Sequence, residues 1–300
     1  MHPRLFGYLC MAAAMVTVGS TVVASKAIGA ELAPFTATAL RFAIALCAFV
    51  PLMMLTRTPW PRPSLGDGLL LLAQAGAGSV GYTVLLVTGT QLTTGADAGI
   101  LLGTLPAVAA LLIVILLRER PTPRLLLAIA LATIGVLVVT MASPQAGGGV
   151  QRSLLGNLLI LLAVVCESVF ILLNKRLRQP LPPLALATTM TGLGLAVSIV
   201  PALLEQHPTL TTVPASAYEA VIYYALIPTV GGFWLWYAGT ARAGAMEASA
   251  FTAIAPIAAV ILSAVVLGES INPPQMVGLA LVIVAVGIVA TAQWRQPAVG

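Results

Sequence analysis

The chain has 300 residues, of which 59% are hydrophobic and only 8% charged. A soluble domain carries about a quarter charged residues, so a water-facing globule is excluded and the surface must face lipid. The net charge of +5 arises from fourteen Lys and Arg scattered singly between apolar runs, which form no basic arm or patch for nucleic acid.

A helix crossing a hydrocarbon core about 30 Å thick needs about 20 apolar residues. Ten such stretches are predicted, near 4–25, 34–55, 67–90, 95–117, 123–142, 153–174, 182–203, 217–239, 245–267 and 273–292. The first imitates a secretory signal, with Arg4 ahead of an apolar run and small residues at Ala24 and Ser25. It is long enough to span, however, and has a counterpart later in the chain. Lys26 ends it at the interface. Arg41 stands near the outer third of span two; it is a candidate partner for a substrate carboxylate, beside the readings of snorkelling or a fold-stabilising ion pair.

Span three carries Gln74 and then AQAGAGSVGYT, with Gly76, Gly78, Gly81 and Tyr82. These glycines satisfy GxGxxG, but in a long uncharged run with no βαβ context the dinucleotide reading is rejected. Span four begins at Asp97, which reads as a cap favoured by the positive end of the helix dipole. Its Gly99, Gly103 and Ala107 recur every four residues on one face, a spacing that lets two backbones approach closely. Glu167, about fourteen residues into span six, is a midspan carboxylate. It is a candidate for proton coupling or for a substrate ammonium, against a structural ion pair or snorkelling.

Span eight reads YYALIPTVGGFWLWY, with Pro228, Gly231 and Gly232 and six aromatic residues: Tyr223, Tyr224, Phe233, Trp234, Trp236 and Tyr237. Tyr223, Trp236 and Tyr237 fit an interfacial belt, whereas Gln74, Tyr82, Tyr224 and Trp234 are candidates for a stacking wall with hydrogen-bond partners around a substrate. Span nine begins at Glu247 and repeats the small residues as Ser249 and Ala253, although Ile257 breaks the series. Cys10, Cys47 and Cys166 lie far apart in apolar runs, so neither a disulfide framework nor a metal site is expected. His2 and His207 fall outside the spans.

With the N-terminus inside, eleven of the fourteen Lys and Arg fall on the inner side, and only Lys26, Arg41 and Arg152 on the outer. The positive-inside rule therefore places both termini in the cytoplasm. Sliding the sequence over itself by 149 to 150 residues aligns Lys26 with Lys175, Pro34 with Pro183, Gly89 with Gly239, Asp97 with Glu247, Pro106 with Pro256 and Glu119 with Glu269. Because each repeat holds an odd number of spans, the second enters the membrane from the opposite side. The expected fold is all-α, two inverted five-helix repeats at 1–143 and 153–292, with a linker at 144–152 and a tail at 293–300. The pairing at this offset also matches spans three and eight as two Gly- or Pro-interrupted helices, the usual pointer to a binding site.

Two blocks occur twice: SKAIGAELAPFTATALRF with GADAGILLGTLPAVAALLIVILLRER, and NKRLRQPLPPLALATTM with AMEASAFTAIAPIAAVILSAVVLGES. They resemble the EamA-type ten-helix carriers of the drug/metabolite transporter superfamily, and within it YddG-like exporters of aromatic and other amino acids. Met190 stands where the first half has Arg41, so any role of that arginine is not duplicated. The resemblance implies a multi-pass protein of the inner (cytoplasmic) membrane, surrounded by lipid and acting as a monomer without cofactor. It would export small metabolites, amino acids foremost, by alternating access around a central cavity, with protons as a candidate coupling ion.

A multidrug or nucleoside exporter of the same superfamily is the alternative. A sugar-phosphate carrier would want several buried arginines, and only Arg41 is at hand. No GxxxxGK[ST] occurs, which removes ATP hydrolysis within this chain, and no HExxH, aspartate pair or Ser/His couple supports a membrane-embedded enzyme.

Overall fold

The computed structural model describes residues 3–117, 121–142, 149–174, 176–179, 181–205, 213–242 and 250–293. Glu119, Lys175, Glu247 and Ser249, singled out from the repeat, lie outside these. Among the described residues all regular structure is helical. Helix α1 runs Pro3–Gly29, α2 Pro34–Leu55, α3 Leu65–Gln74, α4 Tyr82–Thr90, α5 Gly95–Leu102 and α6 Leu105–Leu117. Then follow α7 Pro123–Ala142, α8 Gly149–Asn174, α9 Pro183–Leu204, α10 Ala215–Tyr224, α11 Gly232–Thr240, α12 Ile254–Leu267 and α13 Pro273–Gln293.

Prolines open many of these helices, where the missing N–H would be unpaired in any case: Pro34, Pro123, Pro183 and Pro273 each stand at the first position. Ser64 and Thr94 cap α3 and α5 by accepting from the N–H groups of Asp67 at 3.2 Å and Asp97 at 3.0 Å. Helix α12 ends at Gly268, whose φ of 67° lies in the left-handed region, and the Glu269 N–H returns to the Ser263 carbonyl at 3.3 Å.

Among the described residues eight helices are long and apolar enough to cross a membrane, and the bent pair Gly95–Leu102 and Leu105–Leu116 makes a ninth if taken as one span. The ninth stretch predicted, 245–267, is represented by the shorter apolar helix α12. Spans three and eight are continuous rather than broken. Each runs as one helix, Leu65–Thr90 and Ala215–Thr240, with a π-helical segment inside, Ala75–Gly81 and Ala225–Gly231. The sharp bend falls instead in span four, 41° between α5 and α6, immediately before Pro106. Pro106 removes a helical donor and its ring crowds the preceding turn. The Gly- and Pro-rich segments expected to interrupt spans three and eight are π-helical and continuous, Pro228 included, and the bend lies at Pro106 instead.

The close approach expected of span four is present. A Cβ on Gly99 would run into the Ala259 methyl, one on Gly95 into Ser263, and one on Gly103 into Pro256 and Val282. These contacts run antiparallel down α5 and α12, so the four-residue spacing is a packing seam. A second close pair joins α7 and α13, where a Cβ on Gly135 would lie 3.0 Å from the Gly278 carbonyl. Outward-facing side chains such as Leu126, Leu155, Leu203 and Val265 are at least half exposed, which suits lipid contact rather than water.

Candidate functional site

Two adjoining cavities, of about 490 and 470 Å³, lie among the helices of both halves and share Met15, Arg41, Tyr82, Glu167, Pro228 and Trp236 in their walls. They form one central space in two compartments. The first is predominantly apolar and is walled by Leu102, Pro106, Val164, Ile171 and Pro256. The second is walled by Phe42, Phe170, Met190, Phe233 and Tyr237 and reaches Asn174, the last residue of α8.

At the end of the bundle marked by Lys26, Glu205 and Glu269 the walls are closed by polar contacts. Glu269 accepts from Lys26 Nζ at 2.8 Å and from the N–H groups of Gly95 at 2.9 Å and Ala96 at 3.0 Å, thereby capping α5 from the connection between α12 and α13. Glu205 does the same for α2. It accepts from Phe35 N at 2.9 Å and from the N–H and hydroxyl of Thr36, each at 2.8 Å. Helix α2 has no capping side chain of its own, so its orphan N–H groups need an outside acceptor. That missing cap was the signal in the sequence that could have pointed to a distant carboxylate.

Next to these, Asp97 is fully buried. It accepts from Gln275 Nε2 at 2.7 Å and stands beside the Thr93 hydroxyl, which donates to Asn157 at 2.6 Å. Asp97 is therefore in the first turn of α5, as its reading as a cap implies, and it is also tied into a polar network. Lys26, expected at an interface, is held by Glu269 and by the Thr93 carbonyl at 3.0 Å.

Of the predicted site residues, Tyr82, Glu167 and Tyr224 are brought together around the first compartment, and Gly78 lines the second. A Cβ on Gly78 would overlap the Phe170 side chain, so this glycine lets α8 approach. Gln74 is fully buried and donates from Nε2 to the Phe170 carbonyl at 3.2 Å, outside the cavity walls. Trp234 is 57% exposed on the outer surface. Trp236 and Tyr237, predicted as belt residues, instead face the cavity. The π-helical segment shifts the phase of everything after it, which a count of 3.6 residues per turn does not capture.

Within the π-helical segments, Gly81 and Gly231 are close to carbonyls of their own helices, those of Gly76 and Leu226. Gly232 accommodates Thr17 of α1. Pro228 lines both compartments, and the Thr229 hydroxyl donates to the Tyr224 carbonyl at 2.9 Å, filling a position that the proline cannot.

Arg41, in the walls of both compartments, is the polar centre of the site. It is only 8% exposed, lies 4.4 Å from the Phe42 ring centroid and 4.5 Å from that of Tyr224, and donates from Nη2 to the Thr83 hydroxyl at 3.0 Å. This stacking is a cation–π contact on two faces.

Among the described residues no cluster of His, Cys, Asp and Glu suited to a metal ion occurs. The profile of the EamA-like transporter family matches residues 5–141 and again 154–291. The chain is 34% identical over 295 residues to the uncharacterized transporter YetK of Bacillus subtilis (strain 168), covering 98% of this chain and 89% of that one. It is 29% identical over 229 residues to a probable terminal-alkyne amino-acid exporter of Streptantibioticus cattleyicolor, covering 76% and 75%. It is also 29% identical over 176 residues to a probable amino-acid metabolite efflux pump of Salmonella typhimurium, covering 55% and 56%. A crystal structure of a protein sharing 22% identity superposes over 98% of both chains with a TM-score of 0.63, a likeness of fold.

Proposed function

This chain belongs to the EamA-like transporter family, and on that premise we propose that it exports small metabolites, amino acids foremost, across the cytoplasmic membrane by alternating access. The relatives are transporters rather than enzymes, and the chain is a multi-pass membrane protein. The finer reading has ten spans in two inverted repeats, both termini in the cytoplasm, and a central site on Tyr82, Glu167, Tyr224 and Gly78. Two relatives named for amino-acid export or efflux support the substrate class.

The observation that carries the mechanism is the asymmetry of the central space. It extends toward Asn174 and Tyr237, at the end the charge bias assigns to the cytoplasm, while the opposite end is closed by Glu205 and Glu269 on helix N-termini. Such a space is an inward-facing cavity. An inverted repeat supplies its mirror: one half's inward arrangement is the other's outward one.

The test is counterflow in liposomes loaded with labelled amino acids, nucleosides or phosphorylated sugars. Amino acids are expected to exchange. Flux of phosphorylated compounds alone would overturn the substrate class.

A further inference from the structure

Arg41 and Glu167 present opposite charges to one space. Both line both compartments, yet neither satisfies the other. Among the described residues they are not within the 4.0 Å of an ion pair, and Lys26 with Glu269 is the one such pair found. Arg41 donates from Nη2 to the Thr83 hydroxyl, a neutral acceptor, and its buried Nε has no partner. Rings of Phe42 and Tyr224 flank the guanidinium, but rings do not supply an anion. A guanidinium and a carboxylate withdrawn from bulk water are costly unless each finds a counter-charge.

A free anion would neutralise Arg41 and be repelled by Glu167. A free cation would do the reverse. A small zwitterion satisfies both at once and adds no net charge to a low-dielectric site. Resting on the transporter reading above, we infer that Arg41 and Glu167 form a two-ended clamp for an α-amino acid. Arg41 takes the carboxylate, Glu167 takes the ammonium, and an apolar side chain occupies the compartment walled by Leu102, Ile171 and Pro256. The guanidinium suits a carboxylate because its donors form a planar fork. Met190, at the repeat-related position of Arg41, lies in the wall of the second compartment, so the clamp is single and asymmetric although the fold repeats.

The test uses the full chain with three probes: L-phenylalanine, its methyl ester, which lacks the carboxylate, and N-acetyl-L-phenylalanine, which lacks the ammonium. L-leucine serves as a second parent compound. Calorimetric binding in detergent should rank each free amino acid at least about tenfold above its two derivatives, because each derivative leaves one charge unpaired. Arg41→Gln should weaken the free amino acid at least about tenfold and the ester about twofold at most. Glu167→Gln should show that selectivity toward the N-acetyl compound instead.

Equal affinity for amino acid and ester would overturn the clamp, as would an Arg41→Gln variant that weakens all three probes alike, the mark of a merely structural arginine. Should Arg41→Gln fail to fold, Arg41→Lys retains the charge without the fork, and the ranking by the native chain decides alone. Liposome exchange separates the two levels: flux of amines or nucleosides without amino acids sinks the clamp and spares the transporter, whereas no flux of any solute sinks both.

Discussion

The Lys26 ammonium lies 2.8 Å from Oε1 of Glu269, 243 residues further along the chain, and the same carboxylate receives the first N–H groups of α5. One side chain thus ties three elements at the closed end of the cavity. The ion pair is partly exposed, and its Coulomb share is small. The larger share comes from two backbone donors that would otherwise be unpaired.

Glu269→Gln is expected to loosen that closed end. A neutral amide cannot accept as strongly from three donors, and the loss should be about 1 to 3 kcal/mol. In a background without native cysteines, a cysteine at Thr21 should react several-fold faster with an impermeant thiol reagent applied from the Lys26 side. Unchanged reactivity would show that Glu269 is not a closure contact.

The seam between α5 and α12 should tolerate no growth. Gly99→Ala places a methyl against that of Ala259, and overpacking of this kind costs about 1 to 3 kcal/mol. The thermal midpoint in detergent should fall, and Ala259→Gly added to it should recover part of the loss. Additive losses in the double variant would mean that the two positions do not share a contact.

Trp234 and Trp236 make a paired comparison. Trp236 lines the cavity and Trp234 faces outward at 57% exposure. Trp236→Leu is expected to reduce exchange of the transported solute several-fold, while Trp234→Leu leaves it within about twofold, as surface changes usually do. The opposite ranking in liposome exchange would reverse the phase assigned to α11.

Thr229→Val removes the hydroxyl that donates to the Tyr224 carbonyl. Pro228 has no N–H to offer this carbonyl, which then keeps only the π-helical N–H of Thr229, so losing the hydroxyl bond costs about 1 kcal/mol. A fall in thermal midpoint of several degrees is expected, and Thr229→Ser should restore it.

For orientation, a cysteine at Gln151 should be labelled by an impermeant reagent on intact cells, and one at Ser64 only after lysis. Labelling in the reverse pattern would invert the topology derived from Lys and Arg.

Much of the architecture is determined by the sequence alone, because lipid imposes simple one-dimensional rules. A span must be about 20 residues long and apolar, positive loops stay inside, and a doubled fold leaves an offset that any alignment of the chain with itself reveals. The Gly99 and Gly103 seam is legible for the same reason, since close approach requires small residues at one fixed spacing.

What only the tertiary structure decides is where side chains point after the regular helix fails, and which partners arrive from afar. The π-helical segments 75–81 and 225–231 rotate everything after them, so Trp236 faces the cavity and Trp234 the surface, a phase no count of residues predicts. Glu205 and Glu269 find their partners only in the fold, which sets them on the N-termini of α2 and α5. Arg41 and Glu167 lie in different repeats, and only helix packing brings them to one cavity with neither neutralising the other. Electrostatic partnership depends on distance in space, and sequence records distance along the chain.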